Sequence, residues 1–361
     1  MKVTFVGEAV SGFGGMETVI RTLVRCFRED AEPVDCAIYF FCRDERMDKG
    51  WLAGIDTAYS YSRNRIAYLR NRTHVRRFSR FLREERPDVV ISIDPISCLL
   101  AARARKAAKL ALPLYSWVHF SLDHKKHADC IVHADYHLAI SSGIKAQIAA
   151  RGVDPQRIFT VFNPVEPQAQ TIPHPAPGEE CVFLYMGRMK FEGQKRIKDL
   201  LDTLAQVKGA WRLHMVGDGS DMERCQAYGR ELRIDERIVW HGWQAEPWGY
   251  VRERIGPVSA LLLTSAFEGF GMTLAEAMAY GVYCISSDCP SGPADIIRDG
   301  VNGRLYAPGD LQGLRAILQQ ILAQGVHANQ GEIKRSIERC YVENYYRYLR
   351  DTLFFRLDSS T

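Results

Sequence analysis

Val258-Ser259-Ala260-Leu261-Leu262-Leu263-Thr264 runs straight into Ser265-Ala266-Phe267-Glu268-Gly269-Phe270-Gly271-Met272-Thr273-Leu274-Ala275-Glu276-Ala277. The first seven residues are nearly continuously apolar, which predicts a strand of a parallel sheet covered on both faces. Residues 273–280 predict a helix that stops at Gly281, a favoured residue just past a helix end. A strand, a glycine-bearing loop and a helix N-terminus make an anion site, because free N–H groups and the helix dipole point at whatever sits over the loop. Gly269 and Gly271 let the backbone approach a ligand closely. Glu268 and Glu276 fit a ligand with phosphates at its centre and hydroxyls at both ends, the layout of a nucleotide sugar. A second reading of Glu276 stays open here. Thr273-Leu274-Ala275-Glu276 has the form of a capping box, in which the glutamate returns to the Thr273 N–H. That reading leaves Glu268 and the two glycines unexplained.

The same alternation recurs on either side. Residues 182–186, 211–216, 237–241 and 283–286 read as strands, with helices over 199–207 and 312–322. Such alternation predicts a doubly wound parallel sheet. Arg188 and Lys195 stand in the loop after the first of these strands, at the sheet edge where ligands bind. A guanidinium and an ammonium there neutralise a diphosphate without a metal; Lys190 competes with Lys195 for that place.

The first half of the chain reads as a second sheet of the same kind. Residues 3–6, 36–42, 89–93, 113–118 and 136–140 predict strands, and a helix is expected over 18–27. The loop between the first strand and that helix holds Gly12, Gly14 and Gly15. It is no dinucleotide fingerprint, because Glu17 stands where the third glycine is needed. His119 follows the strand 113–118 at its C-terminal end. Residues 164–180 contain five prolines and no periodicity, the pattern of a linker. The expected organisation is a domain over 1–164, a linker over 165–180, a second domain over 181–335, and a final Tyr- and Arg-rich helix region within 336–361.

A chain of 361 residues suits two domains. The N-terminus enters a strand directly, without the charged and apolar regions of a signal peptide. No apolar run reaches the ~20 residues of a membrane span. Ten cysteines without a C-x-x-C pair suggest neither a disulfide framework nor a zinc ribbon, hence a reducing compartment. His124, His127, His133 and His137 lack the glutamate of a zincin motif, so no metal is expected. Net charge is +4 but uneven: nine arginines and no lysine fall between Arg63 and Arg86. Arg72, Arg76, Arg80 and Arg83 share one face of a helix whose other face holds Val75, Phe78 and Leu82. Such a face suits anionic lipid headgroups or a phosphorylated acceptor, or is a solvated helix surface. No nucleic-acid-binding motif accompanies it, so nucleic acid is not an expected partner.

Several of these features stand together in one order: Gly14-Gly15, Arg86-Pro87-Asp88, His119, Asn163-Pro164, Arg188 with Lys195, and Glu268 with Glu276. In that order the chain resembles, over essentially its whole length, the retaining GT-B glycosyltransferases of family 4. The resemblance implies two Rossmann-like, doubly wound α/β domains facing a central cleft. The first would hold the acceptor and the second the nucleotide sugar, with the C-terminal helix crossing back to the first. Gly14 and Gly15 would face the donor diphosphate, and His119 would lie beside the donor sugar. Arg188, Lys195 and the amides of Met272, Thr273 and Leu274, in the loop with Phe270 and Gly271, would stabilise the departing diphosphate. Glu276 would hold the ribose, Glu268 the donor sugar, and Gly217 and Trp243 would bound the uracil. The family transfers with retention and without metal or cofactor, the nucleotide sugar being a substrate.

Within the family, the chain resembles members that build the lipopolysaccharide core. That implies UDP-galactose as donor, an outer-core glucose as acceptor and an α-1,6 linkage. It also implies a cytoplasmic enzyme, peripheral on the anionic inner face of the inner membrane. Alternatives are a UDP-glucose- or UDP-GlcNAc-dependent transferase on another lipid-linked acceptor, a non-catalytic sugar-nucleotide-binding protein, or a nicotinamide-dependent enzyme. The chain departs from the family at Ser291-Gly292-Pro293-Ala294-Asp295, where many members have Gly-Gly-x-Pro-Glu, and in the longer spacing of Arg188 and Lys195.

Overall fold

In the computed structural model, residues 1–9, 15–45, 49–176 and 178–354 are described. They form two compact units: Met1–Pro164 with the chain from Val342 onward, and Val165–Tyr341.

Unit 1 is built on seven parallel strands: β1 Lys2–Glu8, β2 Asp35–Cys42, β3 Asp56–Tyr61, β4 Val89–Ser92, β5 Leu114–Val118, β6 Tyr136–Ala139 and β7 Ile158–Thr160. Their order is β3-β2-β1-β4-β5-β6-β7. Val3, Phe5, Val6 and Ile91 are completely buried, as central parallel strands covered by helices on both faces require. β3 has no apolar run to announce it. Asp-Thr-Ala-Tyr-Ser-Tyr alternates because it is an edge strand, and Ser60 on it bonds His74 Nδ1 at 2.8 Å. The helix Pro95–Ala108 starts where Asp94 accepts from Ser97 N at 2.9 Å and proline occupies the first turn.

The chain returns to unit 1 as the helix Val342–Phe354. Tyr345 is buried, Tyr346 packs edge-on against Phe27 with centroids 5.7 Å apart and donates to Asp30, and Arg350 Nε lies 2.9 Å from Asp30. The final helix region expected within 336–361 begins only at Val342: a short helix Gln330–Arg335 and a turn at Glu338–Cys340 precede the helix Val342–Phe354. The late start has a tertiary cause: Tyr341 pairs with Val165 as an isolated parallel bridge, and Val165 N donates to Cys340 O at 2.8 Å.

Unit 2 has six parallel strands: β8 Cys181–Met186, β9 Trp211–Val216, β10 Ile238–Gly242, β11 Ala260–Leu263, β12 Cys284–Ser287 and β13 Gly303–Tyr306. Their order is β10-β9-β8-β11-β12-β13. Residues 165–176, read from sequence as part of a linker, are tied to this unit. Ile172 N donates to Tyr280 O at 3.0 Å, Val258 N to Pro173 O at 2.9 Å, and Lys334 Nζ to Gln168 O at 3.0 Å and Gln170 O at 2.8 Å.

Candidate active site

Each sheet reverses its strand order once. In unit 2, β9 and β10 lie to one side of β8, while β11, β12 and β13 lie to the other. The loops leaving β8 and β11 therefore diverge at the C-terminal edge of the sheet, the place where open α/β sheets take ligands. These loops, residues 187–196 and 264–271, carry Arg188, Lys195 and Glu268.

The two loops are stitched together. Ala266 N donates to Gln194 O at 2.7 Å, Gln194 Nε2 to Phe267 O at 3.3 Å, and Thr264 Oγ1 to Lys195 O at 2.9 Å. The stitching places Lys195 Nζ 2.6 Å from Glu268 Oε1, and Ser265 Oγ donates to the same oxygen at 2.6 Å. The two charged side chains are only 15% and 9% exposed, so this is an ion pair inside the protein with a hydroxyl completing it. Lys190 turns elsewhere, to Ser220 Oγ at 2.6 Å and Asp221 Oδ1 at 3.7 Å. The fold therefore brings Lys195, and not Lys190, to the Glu268 loop. Arg188 is exposed, its carbonyl accepts from the Tyr185 hydroxyl at 2.9 Å, and its guanidinium makes no ion pair among the described residues.

Gly217 has a backbone reason of its own. Its φ is +128°, and a Cβ there would fall 2.1 Å from Gly187 O, so glycine lets the loop after β9 lie flat on the loop after β8. Trp243 follows β10 at the same edge and is 64% exposed.

The helix after β11 spans Met272–Ala279, with Gly271 as its N-cap at φ +96° and no side-chain cap. Thr273 thus lies inside the first turn and no capping box forms, which removes that reading of Glu276. Instead Glu276 Oε2 accepts from Trp248 Nε1 at 3.0 Å. Burial pushes the Glu276 carboxyl above its usual range, and the indole bond opposes the rise. Phe270 and Leu274 are buried at 2% and 0% exposure, and the Leu274 N–H, expected to face the diphosphate, instead donates to Gly271 O at 2.9 Å, whereas Met272 and Thr273 are partly exposed. The Ser291-Gly292 pair braces this loop. Ser291 holds φ +72° and Gly292 φ +100°, and a Cβ on Gly292 would come 1.9 Å from Phe270 O.

In unit 1 the reversal lies between β1 and β4. Gly14 lies outside the described residues, and Gly15 opens the helix Gly15–Glu29 that follows β1. Asp94, after β4, accepts from Glu8 N at 2.7 Å. His119 directly follows β5, its ring against Trp117 with centroids 4.3 Å apart. Burial pushes its pKa down to about 3, against a smaller opposing effect of Asn163, so the ring is neutral. Neither ring nitrogen reaches a hydrogen bond of ordinary geometry among the described residues.

The helix Ala67–Glu85 buries His74, Phe78 and Leu82 and leaves Arg72, Arg76, Arg80 and Arg83 exposed. Arg77 differs from these four, because its guanidinium donates to Tyr61 O at 2.6 Å. Ile66, Tyr68 and Leu69, at the start of the same helix, are 60%, 65% and 40% exposed. No helix among the described residues is long and apolar enough to cross a membrane. His133 ends a 3-10 turn and His137 lies in β6, bonded to Ser116 Oγ at 2.7 Å. Among the described residues no group of three His, Cys, Asp or Glu could hold a metal ion.

Sequence reasoning missed Ser265 and Trp248. Ser265 carried a weak signal, a hydroxyl three residues before Glu268 in the same loop. Trp248 carried none, being 28 residues from its partner and indistinguishable in sequence from a core residue.

Comparison with known proteins adds to this geometry. The model described as "Glycosyltransferase Family 4" matches residues 13–169, and the one described as "Glycosyl transferases group 1" matches residues 180–324. The chain is 56% identical over 353 residues to the lipopolysaccharide 1,6-galactosyltransferase of Escherichia coli strain K12, covering 98% of each chain. It is 52% identical to the lipopolysaccharide 1,6-galactosyltransferase of Salmonella typhimurium strain LT2, covering 99% of each. Among solved structures it is similar to the apo form of the lipopolysaccharide outer core galactosyltransferase WaaB. The TM-score there is 0.94 at 52% identity, covering 99% of this chain and 100% of that one. Anabaena Alr3699/HepE in complex with UDP shares the fold, with a TM-score of 0.81 at 18% identity, 98% of this chain and 99% of that one being covered.

Proposed function

We infer the activity from the premise that this chain belongs to the family 4, group 1 glycosyltransferases: it is a lipopolysaccharide galactosyltransferase. It moves galactose from UDP-galactose to a glucose of the outer core, forming an α-1,6 linkage. The observation that carries this reading is the 56% identity to a lipopolysaccharide 1,6-galactosyltransferase along 98% of both chains. The unit 2 switch point supports it, since it presents two basic side chains, two glutamates and a helix N-terminus at one sheet edge.

Donor binding follows from those groups. Arg188, Lys195 and the amides at Met272 and Thr273 oppose the negative charge that grows on the departing UDP, the largest task in such a transfer. Glu276 takes the ribose hydroxyls, and Glu268 holds the hydroxyls of the galactose. Gly217 and the exposed Trp243 bound the base. Lys195 is shared between Glu268 and the phosphate, so arrival of the donor leaves the carboxylate more available to sugar hydroxyls. With two cations and a helix dipole on the diphosphate, no metal is needed. No carboxylate is assigned as a nucleophile. The acceptor hydroxyl attacks on the face from which UDP leaves, its proton passing to the leaving diphosphate, and the configuration is retained. His119, neutral at every physiological pH, offers a sugar hydroxyl a ring donor or acceptor.

The acceptor is lipid-anchored and phosphorylated, so the enzyme works peripherally on the inner face of the inner membrane, in the cytoplasm. The four exposed arginines of Ala67–Glu85 meet that anionic surface, and Ile66, Tyr68 and Leu69 add an apolar corner to it.

The test is donor consumption with lipopolysaccharide truncated at the first outer-core glucose. UDP-galactose is turned over in the presence of EDTA, whereas UDP-glucose and UDP-GlcNAc are not. Transfer from UDP-glucose instead would overturn the donor, and activity that only manganese or magnesium restores would overturn the metal-free mechanism.

A further inference from the structure

Trp248 sits on the short helix Pro247–Tyr250 and is 8% exposed. Its indole does two things at once to the helix Met272–Ala279. The ring stacks on Tyr280 with centroids 5.3 Å apart and planes 22° from parallel, and Nε1 donates to Glu276 Oε2 at 3.0 Å. Glu276 and Tyr280 are one helical turn apart on one face, so a single side chain clamps that face. The Trp248 helix is itself held from its other end. Tyr250 OH bonds His241 Nδ1 at 3.0 Å, and His241 Nε2 bonds His214 Nδ1 at 2.8 Å, which ties the helix to β10 and β9. After Tyr250 the chain continues as a π-turn over Val251–Ile255, a rare geometry often found at functional sites.

The chemistry of an indole decides what this contact does. Its N–H can only donate, so it engages Glu276 as an acceptor and stabilises the carboxylate over the acid. It occupies one carboxylate oxygen and leaves the second to accept from hydroxyl donors. A partly buried glutamate without such a bond would be free to rotate and would take up a proton more readily.

We propose that Trp248 is the positioning residue of the donor site, holding Glu276 ionised and in one orientation so that it discriminates in favour of a ribose bearing its hydroxyls. This rests on the reading of Glu276 as the ribose ligand and is tested separately from it. The probes are UDP and 2′-deoxy-UDP, titrated by calorimetry against the full chain and three variants. The wild-type chain binds UDP more tightly than 2′-deoxy-UDP. Trp248→Phe keeps the ring and the stack but removes the N–H. UDP affinity in it falls about tenfold, the size of one hydrogen bond to a charged group, while 2′-deoxy-UDP affinity changes little, so the preference collapses. Glu276→Gln loses the preference as well, and adding Trp248→Phe to it has no further effect. Trp248→His, which retains a ring N–H, keeps a preference for UDP above that of the Phe variant. If wild-type and Trp248→Phe chains discriminate equally, or if the His variant does no better than the Phe variant, Trp248 only packs and the proposal is overturned. If the wild-type chain itself does not discriminate and Glu276→Gln binds UDP normally, the Glu276 reading fails, and the proposal falls with it.

Discussion

Lys195 Nζ lies 2.6 Å from Glu268 Oε1, where the loops after β8 and β11 meet at the unit 2 switch point. At 15% and 9% exposure neither group is well solvated, so removing one leaves the other buried and uncompensated. Lys195→Ala is expected to lose activity by ~10²-fold, the usual loss when one charge-stabilising group goes. It also costs roughly 3 kcal/mol of stability, and pairing it with Glu268→Gln restores part of that loss. Lys190→Ala, which breaks only contacts to Ser220 and Asp221, stays close to wild type in both. Urea denaturation of the single and double variants measures the coupling; strict additivity would show that the pair is not an energetic unit.

Glu268 and Glu276 separate in their effects. Glu268→Ala cuts turnover far more than it weakens UDP, because its assigned partner is the sugar. Glu276→Ala weakens UDP itself. With no capping box at this helix start, a loss of stability alone does not explain Glu276. Isothermal titration of both variants with UDP decides the matter, and normal UDP binding by Glu276→Ala would sink the ribose assignment.

The site was legible in sequence to the extent that it is local. The strand, the glycine loop and the helix around Glu268 lie within about twenty consecutive residues, and the periodicities and glycines there report directly on backbone. What the sequence left open needed a second loop. The choice of Lys195 over Lys190 depends on Gln194, Thr264 and Ala266 stitching segments about seventy residues apart. The start of the Glu276 helix depends on Gly271 taking φ +96°, which glycine permits but does not require. β3 and β13 both lie at a sheet edge, and Asp-Thr-Ala-Tyr-Ser-Tyr and Gly-Arg-Leu-Tyr hold no apolar run to announce a strand. The proline-rich segment 165–180 reads as a linker by composition, yet Gln168, Ile172 and Pro173 within it hydrogen-bond partners over eighty residues away, Ile172 N donating and the Gln168 and Pro173 carbonyls accepting.

Burial of histidines gives unit 1 a defined acid sensitivity. Burial holds His119 down to about 3 and His74 and His137 down to about 4, all below the ordinary value of 6.5. The folded state thus refuses protons that the unfolded chain accepts. Their contribution is fully present above pH ~6.5 and is lost as pH falls from there toward about 4 for His74 and His137 and about 3 for His119. The urea midpoint should drop across that window. Replacing His137 with Asn, which can still meet Ser116, should flatten the drop by up to one proton. An unchanged slope in that variant would mean that His137 titrates alike in both states.

The arginine face of Ala67–Glu85 makes the last prediction. Arg72, Arg76, Arg80 and Arg83 are exposed and make no ion pair among the described residues, so their charge is available to a surface. Each basic residue near an anionic membrane contributes roughly 1 kcal/mol, and the attraction is screened as the Debye length shrinks with salt. The chain should sediment with vesicles containing anionic lipid at low salt, release them at high salt, and ignore neutral vesicles. Reversing Arg72, Arg76 and Arg80 to glutamate should abolish sedimentation while UDP affinity stays intact, because none of the three is assigned to UDP. Replacing Ile66 and Tyr68 with serine should weaken binding with less effect on its salt dependence, since an apolar contact is not screened. Sedimentation that survives the charge reversal would make this face a solvated helix surface. It would turn attention to the C-terminal helix, where Tyr348 is 49% exposed.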